Sequence, residues 1–143
     1  MLSKQRKIIL IRIIYWLGII LDGLNVVEMM LFMLYGFTFA LGYSDSSDGA
    51  RYVAVLGTGL MLGWTILLLW GERKPIERKD LLLLTVFPVI TSFMLFEFIL
   101  YFLGNNMISL FNILFFLCFQ VTISIIFILG YKIANDIEKQ LEN

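Results

Sequence analysis

The sequence predicts an all-α, polytopic membrane protein, a four-transmembrane-helix bundle that forms a single membrane domain over residues 1–143. Hydrophobic residues make up 60% of the chain and charged residues only 15%, far from the balance of a soluble globular domain. Apolar stretches of about 20 residues, the length of one bilayer crossing, alternate with short polar segments. If the spans number four, every lysine and arginine except Arg51 falls on one side of the membrane.

The first apolar stretch, residues 8–42, follows a basic head of residues 1–7. It is too long for the core of an export signal and has no small-residue cleavage site, so we interpret it as a retained span. Arg12 marks its inner edge, because a long basic side chain can extend towards the headgroups. The crossing is therefore expected at about residues 13–36, with the remainder beyond the hydrocarbon.

The second span is expected at about residues 52–71. It is bounded by a loop of turn-forming residues, 43–50, and by a charged segment, residues 71–80, that is expected to be a water-exposed turn. Gly59 and Gly63 form a pair of small residues one turn apart, which allows another helix to approach closely. Ordinary packing within the bundle is the favoured interpretation of this pair, and a dimerisation face is the alternative.

The third span, about residues 81–103, carries Pro88 near its start. Proline has no backbone donor, so we expect a bend there, with the hydroxyl of Thr85 or Thr91 helping to satisfy the freed carbonyl. The fourth span, about residues 108–130, is followed by a tail that is either a short amphipathic extension or a frayed, solvated end. The extension would use three apolar residues spaced four apart, Ile133, Ile137 and Leu141.

The distribution of basic residues predicts that both termini are cytoplasmic. The lipid bilayer is the expected partner, with a second copy or another membrane protein as further possibilities, and a net charge of zero gives no indication of nucleic-acid binding. The chain has no histidine, which excludes His-ligated haem or zinc and His-based catalysis. Since no nucleophile is paired with a base, we expect neither an enzyme nor a cofactor or metal.

The apolar spans also carry polar side chains that are costly in lipid. An ionised carboxylate at the centre of a span costs about 2.5 to 3.5 kcal/mol, so these groups are expected to face the bundle interior. By depth, Asp22 and Gln120 are nearer the middle of the membrane than the others. The predicted binding cluster consists of Asp22, Asn25, Glu28, Arg51, Thr58, Glu97, Asn112 and Gln120.

This cluster has two interpretations. In the first, Glu28 and Glu97, with Asp22 deeper, take up protons or a cation, and the protein is a small proton- or cation-coupled transporter. In the second, the same side chains hydrogen-bond to one another and only fix helix packing or partner binding, at about 1 kcal/mol per contact. The protein is then a structural or regulatory membrane protein.

Residues in the first span and around the second and third spans carry a family resemblance: Asp22-Gly23, Gly63-Trp64, Trp70, Lys74-Pro75, Glu77-Arg78, Leu82 and Pro88. In these residues the chain resembles a family of small four-helix integral membrane proteins of bacteria that has no established activity. The resemblance implies a bacterial plasma-membrane location and the four-span topology. It implies no catalytic or binding residue.

Overall fold

The computed structural model of the chain describes residues 3–36, 47–102 and 110–142. Helices account for 92% of these residues, and none of them lies in a strand. The helices found there number four, and each is long and apolar enough to cross a membrane. The prediction of an all-α, polytopic membrane protein is therefore confirmed.

Helix α1 comprises Lys4–Tyr35 and α2 comprises Asp48–Glu72. Helix α3 runs over residues 80–102 in three consecutive segments, an α-helical Asp80–Leu84, a π-helical Thr85–Ile90 and an α-helical Thr91–Phe102. Helix α4 comprises Leu110–Glu142.

Local residues explain how α1 ends and α2 begins. Gly36 has a φ of 68°, a left-handed conformation that glycine adopts without steric cost and that commonly terminates helices. The side chain of Ser47 accepts a hydrogen bond from the backbone N–H of Ala50 at 3.3 Å and caps α2. The predicted continuation of the first helix beyond Gly36 lies outside the described residues.

Most of the surface of these helices is apolar and exposed. In the most apolar window of each candidate span, from the first to the fourth, only 28%, 22%, 17% and 17% of the residues are buried. In water, exposed apolar surface on this scale would favour association or aggregation, whereas lipid chains solvate it without such a penalty. The exposed faces are therefore suited to contact with a lipid bilayer.

The chain divides into two compact units, one made of Met1–Ile14 with Lys74–Asn143 and the other of Tyr15–Arg73. In the first unit, α1, α3 and α4 meet at Gly130, which is buried. A Cβ atom at Gly130 would lie 2.9 Å from Cδ1 of Ile14 and 3.3 Å from Cδ1 of Leu82. The missing side chain is what allows this close approach.

Helix α4 continues to Glu142, so the tail is a helical extension and not a frayed end. Ala134 and Ile137 are fully buried, whereas Leu141 is 58% exposed. The buried positions are therefore 130, 134 and 137, and of the predicted series Ile133, Ile137 and Leu141 only Ile137 is buried. The small residues Gly130 and Ala134 let this face pack closely, which a count of large apolar residues does not detect.

The extension also covers part of the charged turn before α3. Lys79 is only 8% exposed, and its Nζ donates a hydrogen bond to Oε2 of Glu138 in an ion pair. The sequence predicted that residues 71–80 form a water-exposed turn, and for Lys79 this is wrong. Its side chain lies against α4, where the carboxylate of Glu138 compensates its charge.

In the second unit, α1 and α2 approach each other at Met29 and Gly57. A Cβ atom at Gly57 would lie 3.0 Å from both Cε and Sδ of Met29. Gly59 and Gly63 are exposed, and no atom of the described residues lies within 4 Å of a Cβ built at either position. The expected helix packing at Gly59 and Gly63 is therefore not found in this part of the chain, because they lie away from the buried face of α2.

Pro88 lies inside the π-helical segment of α3. The backbone N–H of Thr91 bonds to the carbonyl of Val86, five residues earlier, and the Thr91 hydroxyl donates to the same oxygen at 2.8 Å. The Thr85 hydroxyl donates to the carbonyl of Leu81 at 2.8 Å. The expected irregularity at Pro88 is thus a widened turn. The two hydroxyls bond to the carbonyls of Leu81 and Val86 and not, as expected, to that of Leu84, four residues before Pro88, which an α-helical N–H at position 88 would have used.

Candidate functional site

Glu97 on α3 and Gln120 on α4 are two predicted cluster residues that the structure brings into direct contact. Nε2 of Gln120 donates a hydrogen bond to Oε1 of Glu97 at 2.8 Å. Both side chains are half-buried and both belong to the first unit. The depth estimate from the sequence gave Gln120 and Glu97 different levels, whereas the hydrogen bond holds the two side chains at the same level.

Each member of this pair has one side-chain oxygen that is buried without a hydrogen-bond partner. These atoms are Oε2 of Glu97 and Oε1 of Gln120. A buried polar atom without a partner costs about 1 to 3 kcal/mol. An ionised carboxylate only accepts hydrogen bonds, so it cannot satisfy the amide oxygen. A protonated Glu97 would supply the missing donor, because a carboxylic acid and a primary amide can form two hydrogen bonds with each other.

Asp22 is the most buried carboxylate among the described residues of the second unit. Its side chain lies on α1 with an exposure of only 8%, and its Oδ2 is buried without a hydrogen-bond partner. Asn25 is exposed and Glu28 is half-buried. These three predicted cluster residues of the first helix therefore lie in different environments, and only Asp22 is enclosed by protein.

Arg51 and Thr58 lie on α2 in the same unit. Arg51 is half-buried, and its Nε is buried without a hydrogen-bond partner. The Thr58 hydroxyl donates to the carbonyl of Ala54 at 2.7 Å, a bond within its own helix that leaves no donor for a neighbour. Glu28 and Thr58 each adjoin a residue of the Met29–Gly57 contact, so they lie at similar levels along α1 and α2.

Asn112 lies on α4, but its side chain is outside the described part of the structure. Five predicted cluster residues belong to the second unit and two described ones to the first. A single cluster of eight residues therefore stays a prediction. Among the described residues, no group of three His, Cys, Asp or Glu side chains could hold a metal ion.

The four buried side-chain atoms without a partner in the described chain belong to Asp22, Arg51, Glu97 and Gln120. All of them are residues that the sequence had selected as costly in lipid. Their unsatisfied atoms mark them as the side chains for which a proton or a bound group would bring the largest gain.

The ion pair between Lys79 and Glu138 is a buried polar contact that sequence reasoning missed. The two residues are 59 positions apart, Lys79 lies in a segment that was expected to be solvated, and Glu138 lies in a tail for which a solvated end was one of two alternatives. Opposite charges on the same predicted side of the membrane were the only available signal, and many other pairs share it.

The chain matches no protein-family model, no curated protein and no solved structure. The resemblance to small bacterial membrane proteins therefore stays an expectation. The structure itself supports a multi-pass membrane protein, with four apolar helices in its described residues.

Proposed function

We propose that the protein is a small proton-coupled membrane transporter in which Glu97, paired with Gln120, takes up and releases a proton. The observation that carries this proposal is the pair itself, joined by one hydrogen bond of 2.8 Å and left with one unsatisfied oxygen on each group. The pair is complete only when Glu97 is protonated. A carboxyl group on a membrane-spanning helix is costly when charged and commonly marks a proton or ion pathway.

Proton release would change the contact between α3 and α4. With Glu97 protonated, its Oε2 donates to Oε1 of Gln120, and the two side chains hold the helices by two hydrogen bonds. With Glu97 ionised, these two oxygens are both acceptors and the second bond is lost. The π-helical segment Thr85–Ile90 precedes Glu97 on the same helix, and such segments often accompany functional sites.

The ionised carboxylate also defines the proposed substrate class. A cation can neutralise Glu97 once the proton has left, so that proton and cation compete for one group. Exchange of a proton for a cation follows from this competition, and it requires no enzymatic step. The basic residues support an orientation with both termini in the cytoplasm, the resemblance implies a plasma-membrane location, and the transporter is proposed to act alone or with a second copy.

The test is cation-dependent proton movement in proteoliposomes that contain the full chain and a pH-sensitive dye in the lumen. We expect addition of one of three probes, Na⁺, K⁺ or tetraphenylphosphonium, to dissipate an imposed proton gradient. Glu97→Gln should abolish this exchange, because an amide cannot release a proton at this position. Asp136→Asn is the matched control, since Asp136 is an exposed carboxylate on the α4 extension, and it should exchange like the wild type.

The structural alternative makes the opposite prediction with the same variants. Gln at position 97 can still accept a hydrogen bond from Gln120, so a contact that only fixes helix packing would survive Glu97→Gln. Normal folding with no probe-dependent flux in the wild type, or equal flux in wild type and Glu97→Gln, would refute the transport proposal. Recovery of a stable complex with another membrane protein would then favour the structural or regulatory role.

A further inference from the structure

The first unit contains an open groove where the start of α1 meets the charged turn before α3. Its volume is about 220 Å³, and it is lined by Ile8, Lys74, Pro75, Ile76 and Glu77. Three of these side chains are apolar. The groove lies beside the ends of apolar helices that can cross a membrane, the level at which lipid headgroups are found.

The ammonium group of Lys74 can exchange its present ion-pair partner for another anion. Its Nζ contacts Oε2 of Glu77 at 2.8 Å, and the two side chains are 55% and 65% exposed. An ion pair this exposed is weak, because water and salt screen both charges. The ammonium of Lys74 can therefore turn to a more strongly charged group that enters the groove.

Further cations lie next to the groove on α1. Lys4 and Arg12 are each one turn from Ile8 and share its helix face, and both side chains are exposed. Arg6 and Lys7 lie on the same first turns of the helix. These four cations all lie within four residues of the lining residue Ile8, and the groove lining itself holds one cation, Lys74, and one carboxylate, Glu77.

We propose that this groove binds the headgroup of an anionic phospholipid. Lys74 and Lys4 would contact the phosphate, and Ile8, Pro75 and Ile76 would contact the apolar part of the lipid below it. Basic pockets at the cytoplasmic ends of membrane helices suit anionic headgroups, since they combine an attractive charge with contact to the acyl region. This inference is independent of the proposed transport, because none of these residues belongs to the Glu97–Gln120 pair.

The experiment measures lipid retained by the purified full chain in nanodiscs that contain phosphatidylglycerol and phosphatidylcholine with identical acyl chains. We expect the wild type to enrich phosphatidylglycerol, and Lys74→Gln and Lys4→Gln each to reduce the enrichment about fivefold, the equivalent of about 1 kcal/mol per cation. Glu77→Lys should increase it. Lys132→Gln is the control, because Lys132 is an exposed cation that does not line the groove.

Three results would overturn the proposal. The first is equal retention of both lipids by the wild type. The second is an equal loss in Lys132→Gln and Lys74→Gln, which would indicate general attraction to the membrane surface. The third is full displacement of phosphatidylglycerol by excess inorganic phosphate, which would indicate a phosphate site without lipid specificity. Glu77→Lys keeps the test valid if a lysine variant folds poorly.

Discussion

Gly130→Leu is expected to lower the free energy of unfolding by about 3 kcal/mol, at the upper end of the usual cost of overpacking. Even a Cβ atom at this position would lie 2.9 Å from Ile14 and 3.3 Å from Leu82. Both neighbours are buried, so the remaining atoms of leucine have no space within the junction of α1, α3 and α4. Unfolding of the protein in mixed micelles, followed by circular dichroism, measures the change.

Two further variants separate crowding from the general effect of replacing a helical glycine. Gly130→Ala should change the stability by less than about 1 kcal/mol, because the gain in helix propensity offsets a small displacement of Ile14. Gly63→Leu should be tolerated, since no described atom lies within 4 Å of a Cβ built there. If Gly63→Leu proves as harmful as Gly130→Leu, the junction does not explain the loss.

Glu138→Leu is expected to cost about 2 kcal/mol, and Lys79→Leu clearly less. Removing the carboxylate leaves the side chain of Lys79, which is only 10% exposed, as a nearly buried charge without compensation. Removing the lysine leaves Glu138 with 37% of its side chain in contact with solvent, where water can hydrate it. The expected cost of Glu138→Leu stays below the roughly 3 to 5 kcal/mol of a fully buried pair, because Glu138 is partly hydrated and the pair is therefore not fully buried.

The same unfolding measurement compares these variants with the double variant and with Glu77→Gln. The double variant should recover most of the loss, because neither charge is then left unpaired. Glu77→Gln breaks an ion pair whose side chains are 55% and 65% exposed, and it should cost less than about 1 kcal/mol. Equal losses from Glu138→Leu and Lys79→Leu would contradict the assigned burial of Lys79.

Local composition was sufficient to predict the helices, because a membrane-spanning helix needs a continuous apolar run and the polar breaks between the runs are clear. The end of α4 was not predictable in this way. The helix continues to Glu142 because Gly130, Ala134 and Ile137 pack against partners that are distant in sequence. A one-dimensional pattern contains no information about which small residues will be covered.

The candidate site, too, was predictable from the sequence only in part. Glu97 and Gln120 were selected because polar groups are costly in lipid, a property of each residue alone. That these two side chains meet depends on how α3 and α4 are offset, and straight helices measured from their outer ends gave them different depths. The burial of the Lys79 side chain was not predicted, because its partner Glu138 lies 59 residues away in the sequence.

The widened turn at Pro88 also sets the angle, about the helix axis, between residues at the two ends of α3. A π turn holds about one more residue than an α turn, and each residue advances an α-helix by about 100°. If Thr85–Ile90 became α-helical with all of its residues retained, Glu97 would rotate by roughly that angle relative to Leu82, whereas deleting one residue at the same time would restore the present register. Without that deletion, the contact with Gln120 would be lost while the packing of Leu82 beside Gly130 was kept. The irregular segment thus lets one continuous helix present Leu82 and Glu97 to the same neighbour, α4.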